Sequence, residues 1–215
     1  MTIDYYNQHA AEYFAETVDV DLGEQRDVFL AELSPGGQIM DLGCGSGRDS
    51  RYFLEKGFAV DALDASKELC KLAQQFTGIS VQYCTIQEWK PEKAYDGIWA
   101  CASLLHLKRE DLKSFFKNCH GFLKKGGVLF VSAKEGRQVD AEHNLKQDGV
   151  LTVSAGADAQ SGTDEKGRFF TYFDDVLIRE LVQDDSRYKM LRLWRTQDEL
   201  GRETKWINML VRNLG

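Results

Sequence analysis

The sequence predicts an α/β domain with a doubly wound, mostly parallel seven-stranded sheet and an antiparallel hairpin at its C-terminal end. Two observations support this prediction. Short β-rich runs alternate with amphipathic helical patterns over residues 38–131, and two further strand-like runs flank a turn at Gly201. Such alternation is typical of a parallel sheet with helices on both faces. A chain of 215 residues with 43% apolar and 28% charged residues fits a single domain over residues 1–215.

The first three strands and the helices between them follow from local patterns. A helix is predicted over residues 49–56, directly after a glycine-rich loop. Ser66 caps the next helix, whose apolar face includes Leu69 and Leu72, and Gly78 ends it. Strands are predicted at residues 38–42, 58–63 and 79–84, the last with alternating apolar and polar positions.

The second half of the chain continues this pattern. A helix with an apolar stripe that includes Leu112 and Leu123 is predicted to end at residues 124–127, where two lysines precede two glycines. Asp174 is predicted to cap a later helix. Strands are predicted at residues 96–102, 128–131, 188–195 and 206–211, and the last two form the antiparallel hairpin.

Two segments are interpreted as parts that cover the site. Residues 1–35 are predicted to form N-terminal lid helices, with a plain amphipathic packing helix as the alternative. Residues 135–170 are predicted to form an inserted loop of the acceptor region, with one possible short strand at 150–153. A polar segment of this length inside a compact domain is more often a binding loop or lid than a plain connection.

Composition and charge narrow the partners. With 27 basic and 34 acidic residues the net charge is −7, so nucleic acid is an unfavourable partner. No apolar run approaches the roughly 18 residues of a membrane span. The first six residues lack the features of a secretory signal, which predicts a cytoplasmic protein. The five cysteines and four histidines show no metal-ligand spacing, so no metal site is predicted.

The candidate chemistry is concentrated in the loop after the first strand, Asp41-Leu-Gly-Cys-Gly-Ser-Gly47. Its glycines allow a sharp turn and a close approach of backbone amides to a ligand. The loop lacks the lysine of a phosphate-binding Walker loop, and Arg48 stands where a dinucleotide fingerprint has its third glycine. The carboxylate of Asp41 would repel a pyrophosphate but hold an ammonium group. The loop therefore favours a ligand that carries a cation.

A second acid, Asp64, ends the second predicted strand. In a doubly wound fold an acid at this place binds the ribose hydroxyls of a nucleoside. The pocket would then combine an amide-lined loop, the Asp41 carboxylate for an amino group and the Asp64 carboxylate for a ribose diol. S-adenosyl-L-methionine offers the counterpart of each of these three features.

Four motifs together resemble those of a known family. They are Asp41-Leu-Gly-Cys-Gly-Ser-Gly47, Leu63-Asp-Ala-Ser66, Tyr95-Asp-Gly-Ile-Trp99 followed by Leu104-Leu-His106, and Leu123-Lys-Lys-Gly-Gly127. The combination resembles the class I S-adenosylmethionine-dependent methyltransferases, and within them the tellurite-resistance-type and related small-molecule methyltransferases. The resemblance implies a Rossmann-like fold, S-adenosyl-L-methionine as cofactor and S-adenosyl-L-homocysteine as product.

The resemblance also implies which residues contact the cofactor. Where the family often has an acid after the third strand this chain has Thr85, so adenine recognition is assigned to the amide of Ile86 and the side chain of Thr85 or Gln87. Ala100 or Cys101, after the fourth strand, would contact the methionine part. The remaining implied contacts are Asp41, Gly43, Cys44, Gly45, Gly47, Asp64, Ala65 and, from the N-terminal segment, Tyr6.

Methyl transfer requires mainly alignment of a nucleophile with an activated carbon and exclusion of water. The predicted acceptor is small and either anionic or a soft nucleophile. His106 could serve as a base, or could be a satisfied histidine that caps the next helix. Arg48, Arg168 and Tyr172 are expected around the acceptor, with aromatic core packing as the alternative for residues 168–172.

Two other functions stay open at this point. One is methylation of a macromolecule such as RNA or protein, although the acidic charge argues against RNA. The other is a non-catalytic, cofactor-binding regulatory protein with the same fold. Either a monomer or a homodimer is compatible with the sequence.

Overall fold

The computed structural model describes residues 2–136 and 161–215. The strands are β1 (Gln38–Leu42), β2 (Ala59–Asp64), β3 (Val81–Tyr83), β4 (Tyr95–Cys101), β5 (Leu123–Lys134), β6 (Ser161–Thr163), β7 (Phe169–Thr171), β8 (Tyr188–Gln197) and β9 (Lys205–Asn213). The helices are α1 (Thr2–Gln8), α2 (Ala10–Thr17), α3 (Gly23–Leu30), α4 (Arg48–Glu55), α5 (Lys67–Thr77), α6 (Arg109–Cys119) and α7 (Asp175–Ile178), with a short 3₁₀ turn at Leu104–His106.

Seven strands form one sheet in the order β3-β2-β1-β4-β5-β9-β8, and β6 pairs with β7 in a separate two-stranded sheet. The first five strands of the large sheet are parallel, whereas β9 runs antiparallel to both β5 and β8. This arrangement confirms the predicted doubly wound sheet with its antiparallel hairpin. The strand order reverses between β1 and β4, and ligands of such sheets bind at the carboxyl ends of the strands beside this switch point.

The central part of the sheet is buried on both faces, because neighbouring residues along β1, β4 and β5 enter different core clusters. In β1, Ile39 packs in the cluster that contains Phe53 of α4, whereas Met40 packs in the cluster that contains Leu112 of α6. A strand buried on both faces has a nearly continuous apolar sequence, which is why these runs were recognisable. Burial of this kind fixes the register of each strand, and with it the positions of the residues at the carboxyl ends.

One predicted helix boundary is wrong. Helix α6 ends at Cys119, and Leu123 begins β5 rather than completing the helical stripe. The amide of Tyr95 donates to the carbonyl of Phe122 at 2.9 Å, and the side-chain amide of Asn213 donates to the carbonyl of Leu123 at 3.0 Å. These partners satisfy the backbone in an extended form, so the strand starts earlier than the four apolar residues at 128–131 suggest.

Other boundaries are close to those predicted. The third strand covers only Val81–Tyr83, shorter than the expected 79–84. Asp174 caps α7 as predicted, because its side chain accepts a hydrogen bond from the amide of Leu177, and the helix continues as a π turn, Arg179–Gln183. The possible strand at 150–153 lies outside the described residues. In the described part of the chain, helices are all too short or too polar to cross a membrane.

Candidate active site

Two adjoining pockets lie at the carboxyl ends of the central strands. The β2-side pocket is lined by Leu63, Asp64, Ala65, Ser66, Leu69, Thr85, Ile86, Gln87, Ser103 and Leu107, among others. The β5-side pocket is lined by residues that include Asp41, Cys44, Arg48, Cys101, Ser132, Lys134, Arg168, Phe170, Asp198 and Trp206. Both pockets share the residues Tyr6, Tyr13, Gly43, Gly45, Ala102 and His106. These shared residues form a common wall along which one elongated ligand could reach both pockets.

The glycine loop between β1 and α4 is fixed to the end of β2. The amides of Gly43 and Cys44 both donate to the carbonyl of Leu63, at 3.0 and 2.9 Å. Gly43, Gly45 and Gly47 have φ values of 82°, 56° and 79°, a left-handed conformation that side chains rarely adopt. Gly43 and Gly45 line both pockets. Gly47 instead begins α4 and packs against α5, so its predicted ligand contact is replaced by a helix-packing role.

Asp64 is positioned by backbone amides at the end of β2. Its Oδ2 accepts from the amide of Gly45 at 2.9 Å, and its Oδ1 accepts from the amide of Ser66 at 2.7 Å. Burial raises the pKa of Asp64, while these amides act in the opposite direction. A carboxylate oxygen has more than one acceptor position, so the group can hold the loop and still accept hydrogen bonds from a diol in the pocket.

Asp41 and Arg48 line the β5-side pocket and also belong to a buried charge network. Asp41 is 2% exposed, and the Ser50 hydroxyl donates to its Oδ2 at 2.5 Å. Burial and the nearby Asp49 raise the pKa of Asp41. The Arg48 guanidinium donates from Nε and Nη2 to the carboxylate of Asp49 at 3.0 and 2.8 Å. Arg48 therefore lies in the wall of the β5-side pocket, where the sequence predicts it, but its charge is already paired with Asp49.

The segment after β3 contributes Thr85, Ile86 and Gln87 to the β2-side pocket, as the sequence predicts. The Thr85 hydroxyl donates to Glu88 at 2.7 Å, and the Gln87 amide donates to Asp111 at 3.2 Å. Since both side chains already have partners, the backbone at Ile86 is the better candidate to recognise a ligand base.

Of the two alternatives predicted at the end of β4, one lines a pocket, and the two residues that follow it do so as well. Ala100 is fully buried in the core and lines neither pocket, whereas Cys101 lines the β5-side pocket. Ala102 has a φ of 54°, a strained value for a non-glycine residue, and such strain is often found at functional sites. The buried Ser103 hydroxyl has no hydrogen-bond partner among the described residues and borders the β2-side pocket. A ligand bound in that pocket could supply the missing hydrogen-bond partner.

Tyr6 and His106 meet in the shared wall. The Tyr6 hydroxyl lies 3.0 Å from His106 Nε2, and His106 Nδ1 lies 2.7 Å from the carbonyl oxygen of Phe169. Because a carbonyl can only accept, Nδ1 carries the proton and Nε2 accepts from Tyr6. Burial lowers the pKa of His106 to about 4, and the nearby Arg168 acts in the same direction. His106 is therefore neutral at physiological pH.

This pKa shift predicts how the stability of the fold responds to acid. An unfolded histidine takes up a proton near its ordinary pKa of about 6.5, but folded His106 does so only near pH 4. Acidification from pH 7 to 5 therefore favours the unfolded state, by about 1–2 kcal/mol from this group. We expect His106→Gln to lose that much less stability than the wild type over this interval in urea unfolding. The stability of each protein at pH 5 is compared with its own stability at pH 7, so the effect of the substitution on packing cancels. Equal losses of stability in the two proteins would contradict the lowered pKa of His106.

Helix α1 lies across the shared wall and is held at both ends. The Thr2 hydroxyl oxygen accepts from the amide of Phe169 at 2.9 Å. Asn7 Oδ1 accepts from the Ser66 hydroxyl at 2.9 Å and from the amide of Glu68 at 3.3 Å. These contacts connect α1 to β7 on one side and to the start of α5 on the other, so α1 covers the junction of the two pockets.

Of the acceptor residues predicted near 168–172, the structure brings only some to a pocket. Arg168 lines the β5-side pocket and pairs with Asp164, to which its Nε and Nη2 donate at 2.9 and 2.7 Å. Phe170 also lines this pocket. Tyr172 packs against the main core and is not among the lining residues of either pocket, so the structure does not bring it to the site.

Several lining residues were missed in the sequence. Lys134, the last residue of β5, points into the β5-side pocket, and burial together with Arg168 lowers its pKa to about 8. Trp206 lines the same pocket and is paired with Lys134 in the sheet. The feature of the sequence that could have indicated Lys134 is a lysine at the end of an otherwise apolar strand. Whether this lysine lines a pocket depends on β9, the neighbouring strand, and the local pattern does not specify which strand that is.

Comparison with known proteins agrees with this geometry. Residues 39–127, which carry β1 to the start of β5 and the glycine loop, match a family model described as a methyltransferase domain. A putative methyltransferase, YqeM of Bacillus subtilis strain 168, is 36% identical over 106 residues, which are 46% of this chain and 43% of that relative. This chain thus spans less than half the length of that relative.

Solved structures share the fold across nearly the whole chain. The 1,6-didemethyltoxoflavin-N1-methyltransferase of Burkholderia thailandensis, solved with 1,6-didemethyltoxoflavin and S-adenosylhomocysteine, has a TM-score of 0.70 at 19% identity. The alignment covers 99% of this chain and 88% of that one. TehB from Haemophilus influenzae has a TM-score of 0.66 at 19% identity, with 97% of this chain and 67% of that chain covered.

Proposed function

We propose that this chain, whose residues 39–127 match a methyltransferase domain model, is a class I S-adenosylmethionine-dependent methyltransferase that transfers the methyl group of S-adenosyl-L-methionine to a small-molecule acceptor. The observation that carries the proposal is the junction of two pockets at one wall of glycine-loop backbone, Tyr6 and His106. A cofactor that spans this wall would present its reactive centre to the β5-side pocket. The β5-side pocket would then hold the acceptor.

The β2-side pocket fits the nucleoside part of this cofactor. Asp64 would accept hydrogen bonds from the ribose hydroxyls, and the backbone at Ile86 would meet the adenine. The unpartnered hydroxyl of Ser103 supports this fit, because a bound ligand would satisfy a polar atom that the described residues leave alone. When bound, the cofactor supplies a methyl group that its sulfonium has already activated.

The methionine part would extend along the glycine loop into the β5-side pocket. Asp41 borders this pocket, and an ammonium group there would compensate the carboxylate whose pKa burial raises. Gly43 and Gly45 leave room for the backbone to approach the chain of the ligand. Tyr13, which lines both pockets, would close the outer side.

The state of His106 constrains the acceptor. Its Nε2 accepts a hydrogen bond from Tyr6, and its pKa near 4 makes it a weak base. A weak base cannot remove the proton of a neutral alcohol efficiently. The site therefore suits an acceptor that is already anionic or a soft nucleophile. The protein would contribute alignment and, through α1, exclusion of water.

The cofactor assignment is tested by isothermal titration calorimetry with S-adenosyl-L-homocysteine. Asp64→Ala is expected to weaken binding by about 1–3 kcal/mol, because it removes charged hydrogen bonds to the ribose. The matched control is Asp61→Ala on the same strand, since Asp61 pairs with Lys93 at 2.8 Å, accepts from the Tyr95 hydroxyl at 2.9 Å and lines neither pocket. No heat with the wild type, or equal affinities for the two variants, would contradict the assignment.

The catalytic part is tested by release of S-adenosyl-L-homocysteine from S-adenosyl-L-methionine. The panel contains small carboxylic acids, phenols, thiols and oxyanions, with RNA and protein as separate arms. Turnover with a small acceptor supports the proposal. Turnover with RNA or protein alone would replace the small-molecule acceptor, and cofactor binding with no turnover on any arm would favour a regulatory protein.

A further inference from the structure

Lys134 lies in the β5-side pocket and has no anionic partner in the part of the chain that the structure describes. No carboxylate of residues 2–136 and 161–215 forms an ion pair with its Nζ. The Nζ atom instead lies 3.6 Å from the centre of the Phe170 ring. A half-buried ammonium group in contact with an aromatic face has lost part of its hydration, and the ring compensates only some of that loss.

The acids near Lys134 are already neutralised by other cations. Asp164 accepts two hydrogen bonds from Arg168. Asp198 accepts from Arg202 Nε and Nη2, both at 2.9 Å, and from Trp206 Nε1 at 2.9 Å. Each of these two acids is therefore matched by an arginine. Within residues 2–136 and 161–215, the half-buried Lys134 stays without an ion pair, as does the exposed Lys166 at the rim of the pocket.

Other charged residues lie farther round the lining. Lys166 and Glu199 are exposed at its rim, and Glu12 and Glu16 come from α2. Arg48 and Asp49 pair with each other on the opposite side. The pKa of Lys134 is lowered to about 8 by burial and by Arg168, with Arg202 acting in the same direction and the two aspartates against it. The protonated amine is thus destabilised in the unliganded pocket, which an anionic ligand would reverse.

Apolar surfaces lie beside this charge. Trp206 is the cross-strand partner of Lys134, so both side chains lie on the same face of the sheet. Because Trp206 Nε1 is bound to Asp198, the indole is held in place and its ring is left for contact with a ligand. Phe170 and Leu105 add further apolar lining.

We propose that Lys134 binds the single anionic group of the acceptor, which makes the substrate class a small monoanion with an apolar or aromatic body. This inference rests on the proposed function and narrows it. Lys134 would contact the substrate directly and determine specificity, while Phe170 and Trp206 would contact its body.

The test measures binding of benzoate and of its neutral counterpart benzamide to the protein saturated with S-adenosyl-L-homocysteine. Wild-type protein is expected to bind benzoate at least about tenfold more tightly than benzamide. Lys134→Met should weaken benzoate at least about tenfold and leave benzamide unchanged, while Lys134→Arg should restore most of the affinity for benzoate, because charge decides binding. Lys166→Met is the matched control, a lysine at the rim of the same pocket, and is expected to bind benzoate as the wild type does.

The outcomes separate this inference from the proposed function. Affinity for S-adenosyl-L-homocysteine is measured first on every variant, and its absence in the wild type would remove the proposed function. With that affinity intact, three results would overturn the role of Lys134: equal binding of benzoate and benzamide, no benzoate binding at millimolar concentration, or Lys134→Met binding benzoate like the wild type.

Discussion

Replacing Asp49 by Ala is expected to lower the free energy of unfolding by about 3–5 kcal/mol, because it leaves buried charges without their partner. Asp49 is 5% exposed and lies in the first turn of α4. Arg26 Nε donates to it at 2.8 Å, Arg48 donates twice, and Trp99 Nε1 donates at 2.9 Å. Burial alone would raise the pKa of Asp49, but the two arginines hold it below its usual range.

The effect is measured by urea unfolding of the wild type and the variant at pH 7. Glu55→Ala is the control, because Glu55 on the same helix forms an exposed pair with Arg51, worth at most about 0.5 kcal/mol. Asp49→Asn keeps the size of the side chain but not its charge, so its loss of stability should lie between those of Asp49→Ala and Glu55→Ala. A loss for Asp49→Ala no larger than that for Glu55→Ala would show that the buried network does not stabilise the fold.

The fold was predictable because the strands are buried on both faces. In β5, for example, Val128 and Phe130 enter one core cluster and Leu129 and Val131 the other, which produces an uninterrupted apolar run. The antiparallel hairpin was predictable for a different reason, since a turn signal at Gly201 separates two strand-like runs, which are not continuously apolar. Patterns of this kind are local in the chain, so they can be recognised without knowing which strands or helices pack beside them.

Boundaries that depend on distant partners were not predictable. Leu123 fits the apolar stripe of α6, and only the hydrogen bonds of Asn213 and the pairing with Tyr95 make it a strand residue. The third strand is short because it pairs with β2 over three residues only. Neither partner is visible in the local pattern.

The two pockets of the candidate site also differ in how far the sequence predicts them. Asp64 ends β2, Gly43 follows β1 directly and Ile86 lies shortly after β3, so their convergence at the β2-side pocket follows from a parallel sheet. The β5-side pocket depends on which charges pair with one another. Arg48 lines this pocket as expected but is matched by Asp49, whereas Lys134, which the local pattern does not single out, forms no ion pair within the described residues. Pairing of this kind is a property of the folded chain.

Replacing Gly43 by Ala is expected to weaken S-adenosyl-L-homocysteine binding by roughly 100-fold, about 2.7 kcal/mol. Gly43 has a φ of 82°, and an added Cβ would lie 2.5 Å from the Cβ of Ser103. Such a contact forces the glycine loop away from Ser103. Overpacking of this kind costs about 1–3 kcal/mol. Because the amide of Gly43 is tied to β2 and Ser103 borders the β2-side pocket, this movement distorts the proposed cofactor site itself.

Gly57→Ala separates this contact from backbone strain. Gly57 has a similar φ of 85°, but nothing lies within 4 Å of the position that its Cβ would take. Both variants share the strain of a left-handed alanine, about 1–2 kcal/mol of stability. Only Gly43→Ala should also lose affinity in calorimetry, at a temperature where both are folded by circular dichroism. If Gly43→Ala binds S-adenosyl-L-homocysteine as tightly as Gly57→Ala does, the glycine loop does not shape the cofactor pocket.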